Sequence, residues 1–312
     1  MPEPSLPDYD VIIIGAGPAG LTAGLYAARA RRKTLLIEKG IVGGQIALTS
    51  AVENYPGIMS VNGYDLARDM KVQAEANGLE VAYADVSGIH LDGDYRIVRT
   101  ADGGYRAKAV ILAGGADSNR LGVPGEERLT GHGVSYCATC DAAFFKDMEV
   151  AVVGGGDSAI DEGLYVTRYA SKVYVVHRRD ELRAGRVLQE RAFANPKMHF
   201  VWNTVVTSIE GETEVEGVRL KDIVSGEERE LPVFAVFVFI GNTPNTSYLR
   251  DIVDLDAGGH VKTGLWMRTS APGIFAAGDI RAESARQVVS SAGDGATAAI
   301  AADHYISDAF QD

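Results

Sequence analysis

The chain has 312 residues, 46% of them hydrophobic and 23% charged, and carries a net charge of −12. It is long enough for two domains of ordinary size; the negative charge argues against a nucleic-acid or anionic-membrane partner, and no apolar run reaches the length a bilayer requires. Two cysteines are too few for a secreted disulfide framework. The opening Met1-Pro-Glu-Pro-Ser-Leu-Pro-Asp8 has neither the basic stretch nor the apolar run of a signal peptide, so a reducing cytoplasm is the expected setting.

Val11–Ile14 is a short continuous apolar run, as a strand buried on both faces should be. It leads into Gly15-Ala16-Gly17-Pro18-Ala19-Gly20, a predicted helix from Leu21 to Arg31, and a second strand from Thr34 to Ile37 that ends in Glu38 and Lys39. The glycine spacing suits a tight turn, close approach of backbone to a pyrophosphate, and helix–strand packing. The pyrophosphate would rest on the helix N-terminus. Glu38, 23 residues beyond Gly15, is spaced to take two ribose hydroxyls. A plain glycine turn is the alternative; the complete strand, loop, helix, strand and terminal acid favour a dinucleotide site.

Gly43-Gly44-Gln45 and Glu53-Asn54-Tyr55-Pro56-Gly57 are polar loops that present backbone, suited to touching a ring system. The stretch 63–78 predicts an amphipathic helix with Leu66, Met70 and Ala74 on one face. Residues 79–112 predict a β-meander that closes on Ala109–Leu112 and Ala113-Gly114-Gly115. Leu121–Glu126 is a Gly/Pro-rich crossing. Cys137-Ala138-Thr139-Cys140-Asp141 follows, holding both cysteines of the chain. Two residues between the sulfurs allow cycling between dithiol and disulfide, and motifs of this kind typically have a lowered thiol pKa. Asp141 is placed to give or take a proton.

A second apolar run, Val150–Val153, again meets glycines: Gly154-Gly155-Gly156-Asp157-Ser158-Ala159, with alanine at the third motif position. A helix to about Tyr169 and a strand from Lys172 to Val176 complete a second βαβ unit. At the position equivalent to Glu38 stand His177, Arg178 and Arg179, with Arg183 one turn on. A carboxylate repels a 2′-phosphate and paired N–H donors bind one. The first site is therefore read as taking an FAD-like dinucleotide and the second as taking NADPH. Residues 198–239 predict a second β-meander, and Gly241–Asn245 a second crossing. Gly278-Asp279 ends a late strand, where the acid is placed for a ribityl hydroxyl. Arg286-Gln287-Val288 opens a long helix of small residues through Ala309, whose N-terminus would favour an anionic reduced flavin.

The order and spacing of these motifs over nearly the whole chain resemble the low-molecular-weight, bacterial-type thioredoxin reductases, FAD-containing members of the pyridine nucleotide-disulfide oxidoreductases. The resemblance implies an α/β fold of two Rossmann-like dinucleotide-binding domains, each with a β-meander, the second inserted into the first. Residues 1–118 and 245–312 would form the FAD domain, and 119–244 the NADPH domain carrying the cysteines. It implies a homodimer, with electrons passing from NADPH through FAD and a Cys137–Cys140 disulfide to oxidised thioredoxin. Cys137 would attack thioredoxin, Cys140 would lie next to the flavin, and Asp141 would handle protons. The inserted domain would rotate on its two crossings to serve both ends of this relay.

Three positions depart from the family pattern: Gly114 for a threonine, Ala142 for a glycine, and Gly163 for an alanine. These leave open a related flavin disulfide reductase with another thioredoxin-like partner or another electron donor. A ferredoxin–NADP-type reductase lacks the C-x-x-C motif. A structural zinc clip built from Cys137, Cys140 and His132 falls short of the usual four ligands, so no metal site is expected.

Overall fold

The computed structural model describes residues 6–48, 52–249 and 251–310. The chain up to Asp117, together with Thr243 onward, forms one compact unit; Ser118–Asn242 forms the other.

The first unit begins with β1 (Asp8–Ile14), α1 (Pro18–Arg29) and β2 (Thr34–Glu38). Val11, Ile12 and Ile13 are fully buried, and β1 pairs in parallel with β2, as an apolar run covered on both faces should. α2 (Gly63–Glu75) is capped by Asn62, whose side-chain oxygen accepts Tyr64 N–H. It buries Leu66, Ala67 and Ala74 and leaves Met70 partly covered. β3 (Glu80–Tyr83), β4 (Val86–Asp92), β5 (Tyr95–Thr100) and β6 (Gly103–Leu112) then extend the sheet in the order β3-β2-β1-β6-β5-β4.

The stretch 79–112 is therefore not wholly a meander. β4, β5 and β6 are antiparallel, but β3 lies parallel to β2 and the same β6 runs parallel to β1. Burial explains the division: β5 alternates between covered and partly open residues, whereas Ala109–Leu112 are buried on both faces.

β7 (Ala116–Ser118) carries the chain into the second unit. There follow α3 (Glu126–Leu129), β8 (Val134–Ser135), α4 (Ala138–Asp141), β9 (Glu149–Val153), α5 (Asp157–Val166), β10 (Lys172–Val176) and α6 (Arg186–Ala194). β11 (Met198–Val201), β12 (Thr204–Glu210), β13 (Gly217–Asp222), β14 (Glu228–Leu231) and β15 (Ala235–Val238) complete it. The parallel sheet runs β11-β10-β9-β15-β8, and β12-β13-β14 form a separate antiparallel sheet. The second meander is thus shorter than 198–239. Met198–Val201 and Ala235–Val238 flank it but belong to the parallel sheet, and β15 is buried throughout. α5 ends at Val166, three residues short of the predicted Tyr169, and Lys197 Nζ donates to the Thr167 and Ala170 carbonyls that the end of the helix leaves without intrahelical partners.

β16 (Asn242–Pro244) returns the chain to the first unit. β17 (Ile274–Ala276) pairs with β6, and α7 (Val288–Phe310) packs its buried alanines, among them Ala298, Ala299 and Ala302, into the α1 side of that sheet. Among the described residues no helix is long and apolar enough to cross a membrane.

Candidate active site

Cys137 and Cys140 form a disulfide at the head of α4, with Cys137 as the N-cap residue. Ala138 and Ala142 are fully buried and seat the turn in the core of the second unit; Ala142, one of the departures from the family pattern, is thus an anchor. Glu162 on α5 accepts Ala138 N–H at 3.2 Å. Asp141 Oδ2 lies 2.6 Å from the Ser135 hydroxyl. Burial pushes the Asp141 carboxyl above its ordinary range, and the Ser135 hydrogen bond opposes that push. His132 is exposed, and among the described residues no three His, Cys, Asp or Glu side chains gather into a metal-binding group.

In the first unit, segments far apart in sequence converge on the N-terminus of α1. Gly17 caps the helix in extended conformation with Pro18 at its first position, and a side chain at Gly17 would enter open space. A Cβ at Gly20, by contrast, would fall on the Gly15 carbonyl. This is the close helix–strand approach that the spacing predicted. Glu38 Oε2 accepts Ala16 N–H and Oε1 accepts Gly40 N–H, each at 2.7 Å, so the acid is fixed at the loop's edge beside exposed Lys39. Gly43 N–H donates to Ala16 O at 2.8 Å, which brings Gly44 alongside Gly17. Gln45 donates to Asp117 at 2.8 Å and Asn54 to Gln287 at 3.1 Å.

Gly278 packs against Ala19, and Asp279 accepts hydroxyls from Ser284 at 2.9 Å and Ser291 at 3.5 Å. Burial again pushes this carboxyl up, against the pull of Ser284 and the charge of Arg286. Arg286 adopts a positive φ of 54° just before Val288 starts α7. The arrangement is a backbone-lined cradle with a fixed carboxylate at one side and a half-buried one near the α7 start. It fits a dinucleotide carrying a free ribose.

In the second unit Gly154 has a φ of 145°, and Gly156 caps α5. Asp157 and Ser158 are exposed at the helix start and Ala159 is buried. Asp157 Oδ1 accepts Gly185 N–H at 2.7 Å, and Arg183 N–H donates to Gly155 O at 2.7 Å. The Arg183 guanidinium comes within about van der Waals reach of a side chain built at Gly156. Arg178, Arg179 and Arg183 are exposed. His177 differs: it is 5% exposed and its ring packs under the loop at Gly155. Burial first, then the charges of Arg183, Arg179 and Arg178, hold its pKa below the ordinary histidine value.

Four further side chains stand in these sites without a sequence signal. Ser135 and Glu162 serve the cysteine turn. Arg281 and Asp294 form a partly buried ion pair at 2.6 Å, and Asp294 also accepts Gly278 N–H at 3.1 Å. A helix-period reading places Asp294 on an alanine-rich helix; only its contacts reveal that it holds the Gly278–Asp279 turn.

The family model described as pyridine nucleotide-disulphide oxidoreductase matches residues 9–297. The thioredoxin reductase of Bacillus subtilis (strain 168) is 51% identical over 300 residues, covering 96% of this chain and 95% of that one. The thioredoxin reductase of Listeria monocytogenes is 50% identical, covering 96% and 94%. The crystal structure of thioredoxin reductase from Streptococcus pyogenes MGAS5005 superposes with a TM-score of 0.93 at 46% identity, covering 97% of this chain and 100% of that chain. The α/β fold with its paired dinucleotide-type sheets, the inserted unit and the cysteine pair agree with these likenesses: the chain belongs to the pyridine nucleotide-disulphide oxidoreductase family, in its branch of bacterial-type thioredoxin reductases.

Proposed function

We propose that this chain is an NADPH-dependent thioredoxin-disulfide reductase that uses FAD. The observation that carries the reading is the Cys137–Cys140 disulfide at the head of α4, followed at once by Asp141, in a chain with one dinucleotide loop before it and another after it. In this reading the first unit is the FAD domain. Its α1 N-terminus with Gly15, Gly17, Pro18, Ala19 and Gly20 holds the pyrophosphate. Glu38 takes the adenosine ribose, Gly43, Gly44, Gln45 and Asn54 line the ring system, and Asp279 takes the ribityl chain near Arg286, Gln287 and Val288. FAD, when bound, supplies a two-electron carrier between the nicotinamide and the disulfide. In the second unit the loop Gly154–Ala159 receives NADPH, and Arg178, Arg179 and Arg183 select its 2′-phosphate through charge-assisted hydrogen bonds. His177 supports that loop from beneath.

The reduced cysteines then act by thiol–disulfide exchange. Cys137 attacks the thioredoxin disulfide and forms a mixed disulfide; the released thioredoxin sulfur takes a proton. Cys140 attacks Cys137, which frees reduced thioredoxin and restores the Cys137–Cys140 bond. Asp141, raised toward its protonated form by burial, is suited to hand a proton to a departing sulfur and take one back. The same reading has the chain working as a homodimer in the cytoplasm.

The test is steady-state turnover of the purified holoenzyme with NADPH and a panel of thioredoxin-like proteins. Turnover with a thioredoxin is the expected result. Turnover with none of them, although NADPH reduces the enzyme, would assign the dithiol to another partner.

A further inference from the structure

Ser135 is the last residue of β8, two positions before Cys137, and is 4% exposed. A buried hydroxyl needs partners, and this one has three at the redox turn. Its oxygen accepts Cys137 N–H at 3.1 Å. Its proton has two acceptors within reach, Asp141 Oδ2 at 2.6 Å and Cys137 O at 3.2 Å. A hydroxyl has one proton and can rotate. When Asp141 is ionised, the proton points at the carboxylate and completes a chain from Cys137 N–H through Ser135 to Asp141, in which each bond strengthens the next. When Asp141 is protonated, the carboxyl donates to Ser135 and the serine proton turns to the Cys137 carbonyl. Either way the hydroxyl stays satisfied and the backbone at Cys137 need not move.

We infer that Ser135 is a positioning residue for the redox turn: its rotating hydroxyl fixes the Cys137 end of the turn and the carboxyl of Asp141 in both protonation states of that acid. The inference rests on the reading of Cys137, Cys140 and Asp141 as a redox centre, and deepens it.

The other ionisable groups near Asp141 do not offer the same service. On α5, packed against α4, Glu162 is engaged with Ala138 N–H, Asp157 with Gly185 N–H, and Asp161 is exposed. Residues 142–145, which follow directly, carry no ionisable side chain. Tyr136, between Ser135 and Cys137, gives its hydroxyl to Glu126 at 2.8 Å. Ser135 is also the hydrogen bond that opposes burial in setting the Asp141 proton affinity.

The experiment uses holoenzyme with dithiothreitol as reductant, so that neither NADPH nor thioredoxin is required. Dithiothreitol gives two electrons and two protons and closes to its ring disulfide; the Cys137–Cys140 bond breaks and both sulfurs end protonated, one of them by way of Asp141. Rates are read from alkylatable thiols across the acid-to-neutral range, as the ratio of variant to wild type at each pH, which cancels the reagent's own ionisation. Removing a hydrogen bond to a carboxylate raises its pKa. Ser135→Ala should therefore move the Asp141-dependent break in the profile to higher pH, by about one unit. Ser135→Thr, which keeps the hydroxyl, should restore the wild-type profile. Asp141→Asn should abolish the break, and Ser135→Ala added to it should leave the pH dependence unchanged. A Ser135→Ala ratio that stays flat with pH, or a double variant whose profile shifts further than that of Asp141→Asn, would overturn the inference. Should Ser135→Ala fold poorly by circular dichroism, a Ser135→Thr profile that departs from wild type overturns it equally. Failure of the broader reading shows elsewhere, as a wild-type disulfide that dithiothreitol opens but NADPH does not.

Discussion

The His177 ring lies so close to Gly155 that a Cβ at that glycine would sit 2.6 Å from the imidazole Nε2. That nitrogen is buried and makes no hydrogen bond among the described residues, and burial lowers the ring's affinity for a proton. His177 is therefore the floor of the second glycine loop, and the arginines around it are its open face. Gly155→Ala should cost about 1–3 kcal/mol through overpacking, seen as a lower urea midpoint together with weaker NADPH binding. In a His177→Ala background the same substitution should cost much less, because the ring it strikes is gone. Equal costs in both backgrounds would refute the packing relationship.

Arg178, Arg179 and Arg183 are exposed next to this loop. Replacing Arg178 and Arg179 with alanine should raise KM for NADPH roughly tenfold or more, given about 1.5–3 kcal/mol for a hydrogen bond to a charged group. KM for NADH, which has no 2′-phosphate, should stay nearly constant. Parallel losses with both cofactors would remove the arginines from phosphate recognition.

Gly20 and Gly15 leave no room for a side chain between helix and strand: a Cβ at Gly20 would fall on the Gly15 carbonyl, which is backbone and cannot swing aside. Gly20→Ala should yield protein with little bound FAD and a stability loss at the upper end of overpacking, about 3 kcal/mol or more. Gly17→Ala meets no neighbouring atom within 4 Å, so the apoprotein should stay near wild-type stability while FAD affinity falls. The absorbance of bound flavin and a urea titration of each apoprotein separate the two outcomes.

Cys140→Ser should remain yellow and should still be reduced by NADPH, yet lose thioredoxin turnover by several orders of magnitude, since exchange needs both sulfurs. Turnover within tenfold of wild type would make the cysteines bystanders.

Asp141 has its folded-state pKa raised above 3.8 by burial. The folded state therefore holds a proton that the unfolded chain has lost, and stability falls as pH rises from 3.8 through the folded value. Asp141→Asn removes that dependence. Its urea midpoint should match wild type near the acid end and exceed it progressively toward neutral pH. A difference that shrinks as pH rises would show that the half-buried carboxyl is held in its ionised form instead.

The two glycine loops were legible because a strand–loop–helix turn depends on local backbone. Glycines at 15, 17 and 20 and at 154 and 156 sit at fixed offsets from an apolar strand, and the residue 23 positions on is fixed by the length of one helix and one strand. The meanders were only half legible. Met198–Val201 and Ala235–Val238 lie next to true hairpin strands in sequence, and a short apolar run does not announce whether its neighbour is parallel or antiparallel. Ser135, Glu162, Arg281 and Asp294 gave no signal, because a serine in a strand or an acid on a helix is ordinarily a surface residue.

By itself, the sequence determined the chemistry on offer: two glycine loops, a carboxylate at one and arginines at the other, and a single cysteine pair. These are properties of residue type and short spacing, which the backbone translates directly. The tertiary structure decided which groups support that chemistry. It brought Gly43 and Gly278 to the α1 N-terminus, put His177 under its loop rather than on it, and set Ser135 between Cys137 and Asp141. The reason is physical: burial and hydrogen-bond partners arise from contacts between strands and helices remote in the chain, and no periodicity encodes them.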